Sequence, residues 1–147
     1  MKPLLLLSLA ATLSLVCCHC NKATTNPDTT PKEYAQTMFD STVVWSLATM
    51  QGEAIEADAP CTLVLNPQSG MLYGTSFINS YSGTFQVTED GTLEIGNVAM
   101  TQMAGPEALM ALESRFHQAF ATVNAYRLEA NTLTLMHNNT DVLTFIR

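Results

Sequence analysis

The sequence predicts an α+β domain in which an antiparallel, meandering β-sheet curls into a partial barrel and one amphipathic helix covers it. Three observations lead to this fold class. Short apolar segments recur between turn residues, most of them alternate in polarity, and a single stretch near residues 106–121 has apolar residues at helical spacing. The length of 147 residues suits one domain, because two domains of half this size would each bury little apolar surface.

The predicted strands are short and are separated by turn residues. The clearest pattern lies in residues 84–88, where Phe85 and Val87 alternate with polar residues. The pair Asp90-Gly91 then favours a tight hairpin turn. Turn sequences of the same kind bound the other segments, and the full set of predicted strands is 43–47, 61–66, 71–74, 84–88, 92–95, 125–129, 132–137 and 142–146.

One helix is predicted between the fifth and sixth of these strands. It begins at Gly105-Pro106-Glu107, where proline suits the first turn and the acidic side chain suits the positive end of the helix dipole. Its apolar stripe consists of Leu109, Leu112, Phe116 and Phe120. The remaining polar positions are predicted to face solvent, and they are Glu113, Ser114, Arg115, His117 and Gln118.

Three methionines, Met100, Met103 and Met110, flank the predicted start of the helix. Methionine suits both a packed interior and an adaptable binding surface. We expect these side chains to lie in the core between helix and sheet, and an exposed methionine-rich surface is the alternative.

The N-terminus resembles a bacterial lipoprotein signal peptide. Lys2 precedes an apolar run that ends at residue 16 and is too short to span a membrane comfortably. Residues 1–17 are therefore predicted to be removed, with Cys18 as the lipid anchor because Leu15 stands three positions before it. Cys17 is the alternative anchor, and a plain secretory signal followed by unmodified cysteines is the alternative interpretation.

Residues 18–39 are predicted to form a flexible tether, and residues 40–147 the folded domain. The tether is rich in threonine, asparagine, proline and charge and has little to bury. A metal site at Cys17, Cys18, His19 and Cys20 is disfavoured because a second half of the ligand set is absent. The residue after Cys18 is His19 rather than aspartate, so we expect attachment to the outer membrane, facing the periplasm.

The mature chain keeps Cys20 and Cys61 if Cys18 is the anchor. A disulfide between them is chemically permitted outside the cytoplasm, and spacing does not decide whether it forms. Cys61 lies in a strand-like run and suits the role of a small buried apolar residue.

The charge balance and the polar residues argue against several functions. The net charge of −7 disfavours binding to nucleic acid, which requires a basic surface. His117 and His137 lack partners at spacings typical of catalysis or metal binding, and the acidic loop at Glu53, Glu56 and Asp58 is too sparse for calcium. We therefore expect no catalytic set, no metal and no cofactor.

Five sequence features, in this order, resemble the META-domain family of small exported bacterial proteins. They are Trp45-Ser46-Leu47 followed by Gly52; Gly74, Asn79, Gly83 and Phe85; Thr101-Gln102-Met103-Ala104-Gly105; the helix from Glu107 to Phe120; and the closing strands with Tyr126-Arg127-Leu128 and 133–146. The family pattern has a cysteine before the asparagine and another at the end of the Thr-x-Met-Ala motif. This chain has Ile78 and Gly105 there, which weakens any redox role.

The resemblance makes residues 74–85, GTSFINSYSGTF, the signature corner of the family. This corner has two interpretations. It could be a recognition loop in which Phe77, Asn79 and Tyr81 bind a ligand, or a sheet crossover that Asn79 fixes and whose aromatic residues belong to the core. Turn chemistry explains these residue types without a ligand, so we favour the second.

The family also implies a function class. Together with the leader, the tether and the lack of a catalytic set, it suggests a non-enzymatic, lipid-anchored envelope protein that acts by contact with an envelope partner or in stress and antibiotic tolerance. The alternative is a periplasmic carrier that holds a small apolar ligand between sheet and helix. An enzyme whose residues meet only in the fold is a third possibility.

Overall fold

The computed structural model of the protein describes residues 35–36 and 38–147. The predicted signal peptide, the Cys18 anchor with its alternative Cys17, and the tether up to residue 34 lie outside the described residues.

The described part is an α+β domain, as the sequence predicts. It contains nine strands and a helix of fourteen residues. The elements in chain order are β1 (Trp45–Met50), β2 (Glu53–Ala54), β3 (Thr62–Asn66), β4 (Met71–Ser76), β5 (Asn79–Val87), β6 (Leu93–Met100), α1 (Glu107–Phe120), β7 (Ala125–Glu129), β8 (Thr132–His137) and β9 (Thr140–Ile146). The predicted helix is confirmed at the predicted place.

The strands form one antiparallel sheet in the order β6-β5-β4-β3-β1-β9-β8-β7, with β2 paired to β1. The first long strand, β1, lies between β3 and β9, so the two ends of the folded chain pair directly. The outer strands β6 and β7 meet near one end only, where an isolated bridge joins Thr92 to Ala125. The sheet is thus curled and not closed, and α1 follows β6 where the two outer strands diverge.

The core lies on the inner face of the curled sheet. Strand β5 alternates strictly between buried and exposed residues along its whole length. Helix α1 adds the fully buried rings of Phe116 and Phe120, which stack with centroids 5.4 Å apart. Burial of these large apolar side chains supplies most of the favourable free energy of folding.

The packed domain begins earlier than the boundary at Asp40 that the sequence predicts. Ala35 and Phe39 are buried, and the Phe39 ring contacts Phe85 and Tyr126 at centroid distances of 6.1 and 5.6 Å. The predicted tether therefore extends too far at its C-terminal end. The composition of this segment is mainly polar, so it predicts a tether and does not reveal the two apolar positions. Burial of the Phe39 ring stabilises the folded state by about 1.5–3 kcal/mol, which is enough to hold this end of the segment on the domain.

Two other expectations need correction. Strand β5 begins at Asn79 rather than at residue 84, because backbone pairing with β4 overrides the weak strand preference of serine, glycine and asparagine. The methionines near the helix start are exposed and not in the core, at 42% for Met100, 56% for Met103 and 45% for Met110. Met100 ends an outer strand of the sheet, and Met110 lies on the flank of the helix.

Gly74 on β4 marks a close approach of two strands. A Cβ atom built there would lie 1.9 Å from the carbonyl oxygen of Thr62, and the Tyr81 hydroxyl donates a hydrogen bond to that oxygen at 2.7 Å. We expect Gly74→Ala to lower the free energy of unfolding by about 1–3 kcal/mol, because the clash involves backbone that cannot move freely. Urea denaturation measures this loss.

Gly96→Ala is the matched control for Gly74→Ala. A Cβ atom at Gly96 would meet the Thr84 hydroxyl at 3.1 Å, which is the end of an exposed side chain that can rotate. We expect the urea midpoint of this variant to stay close to that of the wild type. Equal midpoints for both variants would contradict the close approach at Gly74.

Candidate functional site

A polar cluster with a buried centre joins helix α1 to the turn between β4 and β5. Its members are Ser76, Asn79, Thr101, Glu113 and His117, and we call it the Glu113 cluster. Ser76 is 0% exposed, Asn79 4% and Glu113 8%. Buried polar groups are costly unless hydrogen bonds satisfy them, so each bond within the cluster matters for stability.

The Glu113 carboxylate accepts three hydrogen bonds. Its Oε1 accepts from the Ser76 hydroxyl at 2.8 Å and from the Asn79 backbone N–H at 2.9 Å, and its Oε2 accepts from Asn79 Nδ2 at 2.8 Å. Burial raises the pKa of the carboxyl, but the hydrogen bonds from Asn79 and Ser76 outweigh it and hold the pKa below its ordinary value. Glu113 is therefore a buried carboxylate ion at neutral pH.

The amide of the Asn79 side chain both donates and accepts hydrogen bonds. Its Nδ2 also donates to the Met103 carbonyl at 3.2 Å. Its Oδ1 accepts from Thr101 Oγ1 at 2.8 Å and from the Met103 N–H at 2.7 Å. Asparagine is suited to this position because it donates and accepts at once, whereas aspartate would repel Glu113. One side chain thus fastens β5, α1 and the segment 101–105 together.

His117 completes the cluster at its outer edge. Its Nε2 lies 3.0 Å from Ser76 Oγ, and its ring packs against Phe116 and Tyr81. The Ser76 hydroxyl has a single proton, which is directed to the nearby Glu113 carboxylate, so His117 Nε2 must be the donor to Ser76. Burial lowers the pKa of His117, and the negative charge of Glu113 offsets part of this decrease.

Ser76, His117 and Glu113 do not have the geometry of a hydrolytic triad. In a triad the imidazole accepts the serine proton and the acid binds the other ring nitrogen. Here the carboxylate binds the serine directly, the imidazole donates to it, and the Ser76 side chain is fully buried. The arrangement orients the buried polar groups and satisfies them with hydrogen bonds, and its imidazole is not placed to take the Ser76 proton.

The three residues proposed from sequence as a binding loop are all buried in the hairpin between β4 and β5. Phe77 is 5% exposed, Asn79 4% and Tyr81 3%. The Tyr81 ring contacts Phe116, Phe120 and His117, and its burial holds the pKa of the hydroxyl well above the ordinary value. These positions match the structural interpretation of the corner, and ligand binding by these residues stays a prediction.

Sequence reasoning missed Glu113, which it assigned to the solvent side. Glu113 is three residues before Phe116 and seven before Phe120, so it lies within the apolar stripe of the helix. An acidic residue at a core-facing position was the available signal, because such a residue needs buried hydrogen-bond donors. His117 was also assigned to the solvent side, and the structure places it half-buried against Tyr81.

The other candidate residues lie apart from the cluster. Exposed His137 donates a hydrogen bond from Nδ1 to the Thr122 carbonyl at 2.6 Å, and Glu53 forms an exposed ion pair with Arg115 at 2.6 Å. Cys61 is buried, and burial raises the pKa of its thiol to about 12. Within residues 35–36 and 38–147, no group of three or more histidine, cysteine, aspartate or glutamate residues could hold a metal ion.

The pH dependence of stability reports on Glu113. Since its pKa is lower in the folded protein than the ordinary value of 4.5, its contribution to stability is present above that value. The contribution is lost as the pH falls through the folded pKa. We expect the stability difference between wild type and Glu113→Gln, measured by urea denaturation from pH 7 to pH 3, to shrink only below about pH 4.5. A constant difference would contradict this assignment.

Comparison with known proteins identifies the fold and the family. The model of the META domain matches residues 38–147, which are most of the chain. The chain belongs to the META-domain family. No protein of curated function matches it. Among the helices of the described part, none is both long and apolar enough to cross a membrane.

Two solved structures share the fold of this META-domain protein. The NMR structure of a protein from Burkholderia xenovorans is 24% identical, with a TM-score of 0.60, over 88% of this chain and 96% of that one. A second NMR structure is 23% identical, with a TM-score of 0.57, over 76% of this chain and 92% of that one. At these identities the likeness concerns the fold alone.

The two positions where the META pattern has cysteines are neighbours in space. A Cβ atom built on Gly105 would lie 2.6 Å from Cδ1 and 3.0 Å from Cγ1 of Ile78. The isoleucine side chain therefore covers the glycine and fills the place of a second side chain. The larger isoleucine at position 78 thus fills the space that the smaller glycine at position 105 leaves, so the two replaced cysteine positions still pack against each other.

Proposed function

We propose that this META-domain protein is a non-enzymatic, lipid-anchored component of the bacterial envelope that acts by contact with another envelope protein. The proposal combines the lipoprotein-like N-terminal sequence with the character of the buried site. The polar groups of the Glu113 cluster form hydrogen bonds with one another, and the Ser76 side chain is fully buried from solvent. The most prominent polar site of the described residues thus has the character of a structural site, which leaves the exposed surface as the candidate for function.

An exposed apolar surface supports the contact role and carries the proposal. Val98 and Met100 at the end of β6, Met103 in the following segment and Met110 on α1 are each exposed by 41–56%. We call this the β6–α1 surface. Exposed methionines are unusual, and flexible methionine-rich surfaces are used for binding proteins of varied shape. β6 is also an outer strand: one edge pairs with β5, and beyond the bridge at Thr92 the other edge pairs with no strand of the described part.

The alternative role as a carrier is less well supported. A ligand between sheet and helix would have to occupy the space that Phe116, Phe120 and Tyr81 fill. Their ring centroids are 5.4–5.6 Å apart, which is contact distance for aromatic side chains. Entry of a ligand would therefore require these core rings to move.

Photo-crosslinking in intact cells tests the contact role. A photoreactive amino acid at Val98 or Met103 is expected to give a discrete cross-linked product with an envelope protein. The control position is Glu129, whose side chain is 69% exposed on β7 at the other end of the strand order. Products at Val98 and Met103 but not at Glu129 support the proposal. Equal products at all three positions, or none, would refute contact through the β6–α1 surface.

The lipid anchor is tested separately by its processing. We expect Cys18→Ser to abolish lipid attachment and to release the protein from membranes, because the thiol of Cys18 is the proposed acylation site. Cys20→Ser is the matched control and is expected to remain membrane-bound. Metabolic labelling with a fatty acid and membrane fractionation measure both effects. Unchanged labelling of Cys18→Ser would show that the anchor assignment is wrong.

A further inference from the structure

Two methionines and one histidine line a shallow depression on the protein surface. The depression lies between the end of β6 and the flank of α1, and its lining includes Met100, Met110 and His117. Both methionines are more than two-fifths exposed, although methionine is among the residues most often buried. A role in core packing therefore does not explain why methionine stands at these two positions.

Strand register places Met100 on the same side of the sheet as His117. Met100 is the cross-strand partner of Tyr81, and directly opposed residues project from one face of a sheet. The Tyr81 ring lies 5.9 Å from the His117 ring, centroid to centroid. Met110 lies two helical turns before His117 and so shares its side of α1. Methionine has three rotatable bonds, which lets both thioethers move within the depression.

The hydrogen bond to Ser76 in the Glu113 cluster fixes the tautomer and the orientation of the His117 imidazole, as a metal ligand requires. Because Nε2 donates its proton to Ser76, the neutral ring carries its lone pair on Nδ1. No hydrogen bond joins Nδ1 to another residue of the described part. Ser76 and the rings of Phe116 and Tyr81 hold the orientation of the imidazole, as the groups behind metal-binding histidines commonly do.

We propose that this depression binds Cu(I), or another soft monovalent ion such as Ag(I), through the sulfur atoms of Met100 and Met110 and through Nδ1 of His117. Two thioethers with one imidazole suit Cu(I), whereas Zn²⁺ prefers imidazole, thiolate and carboxylate ligands, and Ca²⁺ and Mg²⁺ prefer oxygen ligands. The carboxylate of Glu113 is not an available ligand, because hydrogen bonds from Ser76 and Asn79 occupy it.

The sequence predicted no metal site, because the usual ligand spacings are absent. Met100 and Met110 are separated by the segment 101–105 and the helix start, and only the folded chain brings them to one depression. This inference goes beyond the proposed contact role, and the two share the exposed side chains of Met100 and Met110.

The test uses the full chain with Cys17, Cys18 and Cys20 replaced by serine, because their thiolates would bind Cu(I) more tightly than thioethers. Ag(I) serves as a redox-inert probe, and methyl resonances of ¹³C-labelled methionine report binding. We expect saturable shifts at Met100 and Met110 with one equivalent of Ag(I), and no shift at exposed Met71 on β4. Competition with a chromogenic Cu(I) chelator under anaerobic, reducing conditions then gives the affinity.

Matched variants decide the outcome. The double variant Met100→Leu/Met110→Leu keeps side-chain volume, and we expect it to bind Cu(I) at least tenfold more weakly. His117→Gln is expected to weaken binding similarly, and Met71→Leu to leave it unchanged. Absence of saturable methyl shifts, an affinity that the double variant retains, or equally tight binding of Zn²⁺ would each overturn the proposal. Binding at buried Cys61 would leave the Met100 and Met110 methyl groups unshifted and would overturn it too.

Discussion

Replacing Glu113 with alanine is expected to lower the free energy of unfolding by about 3–5 kcal/mol. The substitution removes the acceptor of three buried hydrogen bonds, from the Ser76 hydroxyl and from both N–H groups that Asn79 directs to it. Hydrogen bonds to a charged group contribute about 1.5–3 kcal/mol each, and a buried donor left without a partner costs about 1–3 kcal/mol. Alanine is a good helix former, so the loss will not arise from helix propensity.

Urea denaturation of purified Glu113→Ala measures this effect, and Glu107→Ala is its control. Glu107 lies in the first turn of the same helix and is exposed, so its removal should cost at most about 1 kcal/mol through the helix dipole. If both variants unfold at the same urea concentration as the wild type, the Glu113 cluster does not stabilise the domain.

A disulfide introduced at Ile78 and Gly105 has the second largest expected effect and is expected to stabilise the folded protein. A Cβ atom at Gly105 approaches the first branch of the Ile78 side chain within 3.0–3.4 Å, which is compatible with the spacing of disulfide-linked residues. The bond would close a loop of about 27 residues, for which the chain-entropy model gives about 3–4 kcal/mol. It would also restore the two cysteines of the META pattern.

The double variant Ile78→Cys/Gly105→Cys is tested by thiol counting and urea denaturation with and without reductant. We expect two fewer alkylatable thiols and a higher urea midpoint under oxidising conditions, and both gains should vanish on reduction. The single variants are the controls, since neither can form this bond. If both introduced thiols remain alkylatable after oxidation, the two positions are not adjacent as described.

Local patterns predict the elements that depend on neighbouring residues. The alternation of Phe85 and Val87 identifies the inner face of β5, and the spacing of Phe116 and Phe120 identifies the buried face of α1. Asp90-Gly91 marks the turn before β6, where Gly91 has a φ of 86°. These features follow from local geometry, so the structure confirms them.

Features that depend on distant residues were not predictable in the same way. The pairing of β1 with both β3 and β9 brings together segments that are far apart in the chain. The exposure of Met100 follows from its position at the end of an outer strand, which no local pattern specifies. Glu113 required knowledge that Ser76 and Asn79 stand opposite the helix, and the sequence alone identified only Asn79 as important.

The central claim is that the Glu113 cluster fastens α1 and the segment 101–105 to the sheet rather than forming a reaction site. Native-state hydrogen exchange of Glu113→Gln, compared with Glu107→Gln, tests it most directly, since glutamine matches the shape of glutamate at both positions. The claim predicts that backbone amides of α1 and of Met103 exchange at least tenfold faster in Glu113→Gln only, while those of β8 and β9 change less. Unchanged protection of α1 in Glu113→Gln would contradict it.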